Sequence, residues 1–290
     1  MYTSEFAFLI PGYTTLLSSD SRLALTVRRG SLDENAPLIQ DEFADLLQQW
    51  FRCDPLPGGY YRIMAAHSGM ALTVGGDDPF RRSAPIVQRS WTGAVEQQFG
   101  IGSPDGVRLK VVPRLRNDFS LDVQGGSHRP GAEVIQYPFG TGQPNQLWYE
   151  GTPLFNQGTG RVADIKGGST RDGAEVIQYR FQGGSNQVFY VEWVRERFYR
   201  VVARNGTFLA WTMEPTGYAA SAVLMRPYTG AGNQLFTFER MSAGRTRIVC
   251  LRNGLAVQPE SSTGQFLVGR SPGPEPLQNW RLQVSTPVFG

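Results

Sequence analysis

Short runs in which apolar and polar residues alternate, bounded by Gly, Pro, Asn or Asp, recur along the chain. A period of two marks half-buried β-strands, so the pattern predicts many short strands joined by tight turns. One strand family reads Arg22-Leu23-Ala24-Leu25-Thr26-Val27, Met70-Ala71-Leu72-Thr73-Val74, Phe119-Ser120-Leu121-Asp122-Val123, Arg161-Val162-Ala163-Asp164-Ile165, Phe208-Leu209-Ala210-Trp211 and Leu255-Ala256-Val257. A second reads Pro37-Leu38-Ile39-Gln40, Pro85-Ile86-Val87-Gln88, Val134-Ile135-Gln136, Val176-Ile177-Gln178, Val223-Leu224-Met225 and Phe266-Leu267-Val268. Asn205-Gly206 and Asn253-Gly254, which tolerate positive φ, precede two of the first-family strands as hairpin turns. Only Asp41-Glu42-Phe43-Ala44-Asp45-Leu46-Leu47 has helix-like spacing, and its acidic start predicts a helical turn with a solvated face on the first repeat.

The two strand families alternate with a third landmark, a glutamine close before an aromatic. It occurs as Gln48-Gln49-Trp50, Gln97-Gln98-Phe99, Gln146-Leu147-Trp148, Gln187-Val188-Phe189, Gln234-Leu235-Phe236 and Gln278-Asn279-Trp280. The copies lie roughly 40–50 residues apart, a spacing that signals internal repetition. Each of the six repeats holds about four short strands. The recurrence of the aromatic in every copy argues for packing, because a ligand site need not repeat and a core must.

Composition agrees with an all-β chain. The 34 Gly and 19 Pro among 290 residues imply turns rather than long helices, and 18% charged residues exclude disorder driven by self-repulsion. The 28 basic residues exceed the 25 acidic ones by +3 and are scattered, as in Arg28-Arg29 and Arg81-Arg82, whereas nucleic-acid binders gather theirs into a stripe. No partner of that kind is expected, nor membrane insertion, since no apolar run approaches the roughly 18–20 residues of a span. Met1–Ile10 lacks the basic start and long apolar stretch of an export signal, so the expectation is a cytoplasmic protein or one secreted without a recognisable signal peptide. Cys53 and Cys250, far apart in the chain, read as free buried thiols.

The combination of a turn, (L/A)-D-(V/I), Gly-Gly, a G-x-x-V-I-x-aromatic strand and N-Q-x-(W/F) resembles the ricin B-chain-like lectins. The resemblance covers nearly the whole chain. It implies that three repeats close one β-trefoil and that the aromatics after the glutamines are core residues. Six repeats then imply two tandem β-trefoil domains, residues 1–150 and 151–290, with the boundary near Gly151-Thr152-Pro153 and an arrangement similar to tandem-trefoil haemagglutinins of toxin complexes.

The third and fourth repeats are near-duplicates. Gly131-Ala132-Glu133-Val134-Ile135-Gln136-Tyr137 returns unchanged as Gly173-Ala174-Glu175-Val176-Ile177-Gln178-Tyr179, and Asp122 and Asp164 precede the two tyrosines by the same distance. A pyranose pocket needs convergent polar groups for adjacent hydroxyls and a flat apolar surface for the ring. Asp122 or Asp164 supplies the acceptor, Asn145 or Asn186 an amide that donates and accepts, and Tyr137 or Tyr179 the stacking face, with Phe139 and Phe181 as possible substitutes. The resemblance implies that these positions contact galactose- or N-acetylgalactosamine-type sugars, that Gly125 and Gly167 contribute backbone, and that Gln146 and Gln187 support the site from behind. In the other copies the aspartate reads as Thr26, Thr73, Ala210 and Ala256, and the tyrosine as Asp41, Arg89, Arg226 and Arg270. The asparagine survives as Asn233, while Leu47, Glu96 and Leu277 stand elsewhere.

The expected function is therefore a non-enzymatic lectin with one competent site per domain, binding glycans or glycoproteins at cell surfaces. No cofactor or metal is called for: His67 and His128 are isolated, and neither cysteine has a histidine or a second cysteine at catalytic or metal-binding spacing. The alternative is a protein-binding trefoil, inhibitor-like or a companion in a toxin complex, with an insertion around Ser31–Leu47 as its recognition loop.

Overall fold

The computed structural model describes residues 13–44, 46–140, 143–215, 221–241, 245–274 and 276–281. The expectation for Met1–Ile10 lies outside the described residues, as does Asp45. The chain divides into two compact units, with the break between Glu150 and Gly151.

The first unit contains β1 (Tyr13–Ser18), β2 (Ala24–Val27), β3 (Leu38–Asp41), β4 (Phe51–Leu56), β5 (Tyr60–Ala65), β6 (Ala71–Val74), β7 (Ile86–Arg89), β8 (Phe99–Gly102), β9 (Lys110–Pro113), β10 (Phe119–Val123), β11 (Val134–Pro138) and β12 (Trp148–Gly151). Strands one and four of each repeat form a barrel wall: β1 pairs β4, β4 pairs β5, β5 pairs β8, and β8 pairs β9. The ring closes because β12 pairs β1 and a bridge joins Leu109 to Trp148. Strands two and three make the hairpins β2–β3, β6–β7 and β10–β11. These hairpins meet through the bridges Pro37–Val87, Ile39–Glu133 and Pro85–Ile135. Closure removes the strand edges that would otherwise invite pairing with other chains.

The second unit repeats the plan with β13 (Phe155–Asn156), β14 (Val162–Ile165), β15 (Val176–Tyr179), β16 (Phe189–Arg195), β17 (Phe198–Ala203), β18 (Ala210–Pro215), β19 (Ser221–Arg226), β20 (Phe236–Arg240), β21 (Thr246–Cys250), β22 (Ala256–Pro259), β23 (Leu267–Arg270) and β24 (Trp280–Arg281). The barrel runs β13–β24–β21–β20–β17–β16 and closes at the Thr152–Phe189 bridge. Its hairpins are β14–β15, β18–β19 and β22–β23. The fold is all-β, two β-trefoils in tandem built from six four-stranded repeats.

Phe51, Phe99 and Trp148 are buried in the core of the first unit, and Phe189, Phe236 and Trp280 in that of the second. Each contributes on the order of 2–3 kcal/mol through burial of its ring. The first repeat departs from the sequence reading by one residue. Its 3-10 turn ends on Gln49, so the equivalent signature is Gln49-Trp50-Phe51, and the core ring of that copy is Phe51. Trp50 is also buried. Among the described residues the helical turn expected over Asp41–Leu47 is not found: Asp41 ends β3, and a 3-10 turn covers Leu47–Gln49. The supposed recognition loop at Ser31–Leu47 likewise contains β3, a strand of the common plan and not an insertion.

A second set of glutamines joins the repeats of the first unit in a ring. Gln40 Nε2 donates to the carbonyls of Ser127 (2.6 Å) and Arg129 (3.0 Å), Gln88 Nε2 to Ser31 (2.8 Å) and Asp33 (3.0 Å), and Gln136 Nε2 to Pro79 (2.7 Å) and Arg81 (2.9 Å). Each side chain is buried and latches the loop of the preceding repeat, repeat one latching repeat three. In the second unit Gln178 latches Ser261 and Gly264, but Met225 and Gly269 occupy the other two positions.

Cys53 and Cys250 are free and buried, and burial pushes both thiols up, away from the reactive thiolate. His128 Nε2 lies 3.1 Å from an oxygen of Asp20, and His67 Nε2 lies 3.0 Å from the Ser31 carbonyl.

Candidate functional site

In the third repeat, residues on β10 and β11 alternate between two faces. Leu121, Val123 and Val134 enter the core, while Asp122 pairs with Ile135, and Ser120 with Tyr137, on the opposite face. Asp122 and Tyr137 are therefore diagonal neighbours on that face, within reach of a common ligand. The fourth repeat does the same: Ala163, Ile165 and Val176 face the core, Asp164 pairs with Ile177, and Val162 pairs with Tyr179.

The aspartates are nearly enclosed, with 5% of Asp122 and 3% of Asp164 exposed, whereas Tyr137 and Tyr179 are 37% and 44% exposed. Burial raises both carboxyls, Asp122 to about 6, against the opposing effect of hydrogen bonds from side-chain amides. Those amides belong to Gln146 and Asn145 for Asp122, and to Gln187 and Asn186 for Asp164. Gln187 Nε2 donates to Asp164 Oδ2 at 2.7 Å. The aspartates are thus held by side chains rather than by turn amides, beside an exposed aromatic ring; over Tyr137 the Arg82 guanidinium sits 5.1 Å from the ring centroid and donates to the hydroxyl at 3.3 Å.

Gln146 and Gln187 sit behind the aspartates and are buried. Gln146 Nε2 donates to the Pro138 carbonyl (2.9 Å), and its Oε1 accepts from Gly140 N (2.8 Å). Gln187 does the same with Arg180 O (2.8 Å) and Gln182 N (2.6 Å). Both glutamines are fixed before any ligand arrives. Asn145 and Asn186 are half-buried; Asn145 Nδ2 also donates to Val123 O at 3.3 Å.

Gly125 and Gly167 lie in exposed 3-10 turns directly after β10 and β14, at φ of 66° and 63°. A Cβ on either would meet nothing within 4 Å. Backbone conformation rather than crowding explains the glycines, and the corresponding residue of the first repeat, Arg29, accepts the same strained φ of 57°. Phe139 and Phe181 are not free platforms: Lys110 Nζ sits 3.8 Å from the Phe139 centroid, and Phe181 packs on Phe155 at 5.5 Å. The tyrosines are the more exposed rings.

The hydrogen-bond partner of the signature glutamine identifies the aspartate position in the remaining repeats. Gln49 bonds Thr26, Gln97 bonds Thr73, Gln234 bonds Thr212 and Gln278 bonds Gln258. The fifth and sixth repeats therefore carry Thr212 and Gln258 there, and not Ala210 and Ala256. The shifted first signature likewise puts Gln48, and not Leu47, at the asparagine position. Strand register bears out Asp41, Arg89, Arg226 and Arg270 at the tyrosine position. Arg226 is tied to Glu214 and Asp172. Across the described residues, no group of three or more His, Cys, Asp or Glu side chains is placed to hold a metal ion, and no helix is long and apolar enough to cross a membrane.

Comparison with known proteins places this geometry in context. The chain is similar to a designed three-fold symmetric protein, ThreeFoil, at 34% identity over 48% of this chain and 97% of that one, with a TM-score of 0.46. It is similar to the C-terminal half of an earthworm R-type lectin in complex with GalNAc at 14% identity (48% of this chain, 98% of that one, TM-score 0.39). The Rhizoctonia solani agglutinin matches at 21% identity (49% and 95%, TM-score 0.43). No curated protein matches by sequence. The model of the ricin-type beta-trefoil lectin domain-like family matches residues 5–89, 46–137, 96–179 and 144–222. These overlapping matches span more than half of the chain, follow its repeats and coincide with the fold, and the protein belongs to that family of carbohydrate-binding domains.

Proposed function

We propose that the chain binds galactose- or N-acetylgalactosamine-type glycans through two sites, Asp122–Tyr137–Asn145 in the third repeat and Asp164–Tyr179–Asn186 in the fourth, without catalysing a reaction. The observation that carries this reading is the repeated triad. Among the described residues, only these two repeats set a buried carboxylate, held by side-chain amides, beside an exposed tyrosine on the outer hairpin face.

The ionised aspartate accepts from two vicinal hydroxyls, Asn145 or Asn186 bonds a third polar group, and the tyrosine covers the apolar face of the ring. Gln146 and Gln187 orient the carboxylates from behind, and Gly125 and Gly167 leave the adjoining main chain open to the sugar. Shallow pockets of this kind bind weakly one at a time. A site on each unit of one chain raises the effective concentration on a multivalent glycan and favours attachment to glycoproteins at cell surfaces.

Calorimetric titration with galactose, lactose and N-acetylgalactosamine tests the reading. Asp122→Ala and Asp164→Ala are each expected to remove one of two sites, and the double variant to lose binding while still melting as a cooperatively folded protein. Undiminished binding by a folded double variant overturns it.

A further inference from the structure

The second repeat has lost the aspartate, the tyrosine and the asparagine, yet a cavity of about 530 Å³ lies where they would be. Its wall includes Thr73 at the aspartate position, Arg89 at the tyrosine position and Glu96 at the asparagine position. Pro79 and Ala94 add apolar surface, and Glu34 enters from the loop of the first repeat. The volume is within the usual range for a small-molecule site, roughly 300–1,000 Å³.

The polar groups of this cavity are not equally available. Thr73 Oγ1 donates to the Ala71 carbonyl (3.1 Å) and accepts from Gln97 Nε2 (3.2 Å). Glu34 accepts from Ser90 N at 3.0 and 3.2 Å and from Ser90 Oγ at 2.5 Å, and these bonds hold its carboxyl below the ordinary range, with Arg89 adding to the effect. Arg89 Nε donates to Asn35 Oδ1 at 2.6 Å. Glu34 and Arg89 are thus both anchored by the framework and offset one another in charge. Glu96 differs. It is half-buried on the 3-10 turn Val95–Gln97, and among the described residues no hydrogen bond or ion pair reaches its carboxylate.

The cavity therefore carries one uncompensated negative charge beside apolar walls. A ligand offering only neutral hydroxyls can hydrogen-bond that carboxylate but brings no countercharge, and an anionic ligand meets two carboxylates. A protonated amine supplies the missing countercharge and several donors at once, and the C–H face of a sugar ring suits Pro79 and Ala94. We propose that the cavity of the second repeat is a binding site for a sugar with a free primary amine, an unacetylated hexosamine, with Glu96 as its ion partner. The carboxylate has in effect moved across the pocket, from the aspartate position to the asparagine position, and the ligand has changed with it. The inference is independent of the two sites in the third and fourth repeats.

Titrating the full chain with galactosamine and glucosamine, with their N-acetylated forms and with cadaverine as an amine without a sugar, tests this. The amino sugars are expected to bind the wild type at least tenfold more tightly than cadaverine and to weaken as salt is raised. Glu96→Gln keeps size and shape and is expected to weaken the amino sugars at least tenfold while leaving N-acetylgalactosamine binding as in the wild type. The Asp122→Ala/Asp164→Ala variant is expected to lose N-acetylgalactosamine and to keep a galactosamine site, so failure there bears on the lectin sites alone. The proposal is overturned if Glu96→Gln, melting as the wild type does, binds amino sugars undiminished. It is equally overturned if cadaverine matches them, or if neither amino sugar binds the Asp122→Ala/Asp164→Ala variant.

Discussion

Gln187 Nε2 lies 2.7 Å from Asp164 Oδ2, and the other hydrogen of the same amide goes to the Arg180 carbonyl at 2.8 Å. One buried side chain thereby fixes both the carboxylate and the end of the strand that carries Tyr179. Gln187→Ala leaves the Arg180 carbonyl, the Gln182 amide and Asp164 short of partners. The expected outcome is a loss of about 2–3 kcal/mol in stability by urea denaturation, with sugar binding at the fourth repeat abolished and that at the third retained. A stability loss below about 0.5 kcal/mol would show that the strut is dispensable.

Asp122 titrates at about 6 in the fold against 3.8 for a free carboxyl, because burial outweighs its amide hydrogen bonds. The folded state therefore holds this proton more tightly than the unfolded chain does. Its contribution to stability is fully present below the unfolded value and is lost as pH rises from about 4 to about 6. Binding runs the other way, since the ionised form accepts from the sugar hydroxyls, so affinity at the third repeat falls as pH drops through about 6. Asp122→Asn is expected to flatten the stability profile in this window; an unchanged slope would contradict the assignment.

Phe99 occupies in the second repeat the place that Trp148 occupies in the third. Phe99→Ala opens a cavity among the core rings of the first unit and is expected to cost about 3–5 kcal/mol. Calorimetric melting reads this as a fall in the transition of that unit.

Gln88 ties the second repeat to the carbonyls of Ser31 and Asp33, and Ser68 Oγ donates to its Oε1 at 2.8 Å. Gln88→Ala is expected to cost about 2 kcal/mol by urea denaturation and to speed hydrogen exchange at Asn35 and Ala36, whose loop it holds. Exchange at the wild-type rate would mean that the backbone pairs Asn35 N–Gln88 O and Gln88 N–Ala36 O suffice.

Much of the architecture was legible because a core ring must recur. Five of the six core aromatics could be found without knowing their neighbours, as could the duplicated hairpins that carry Asp122 and Asp164. The errors have a common cause. Gln48-Gln49 followed by Trp50-Phe51 offers two registers, and only the bond from Gln49 to Thr26 selects one. Thr212 and Gln258 were missed because turns, rather than the partner of the signature glutamine, aligned the repeats. The latching glutamines were visible at the end of the L-I-Q, I-V-Q and V-I-Q runs, but Gln88 serves a loop more than fifty residues earlier and Gln40 one more than eighty residues later. The cavity over Glu96 escaped notice because a search for the missing aspartate overlooks a carboxylate supplied from the opposite wall.

The ring of latches sets an order on synthesis. Gln40 emerges with the first repeat, but the carbonyls awaiting its amide belong to Ser127 and Arg129, which leave the ribosome last among the three loops. A nascent chain paused after two repeats holds a buried-type amide with nowhere to donate, so it is an open arc and not two-thirds of a folded domain. The first trefoil locks only when its final hairpin arrives, which makes the intermediate lengths, rather than the finished protein, the forms most in need of a chaperone.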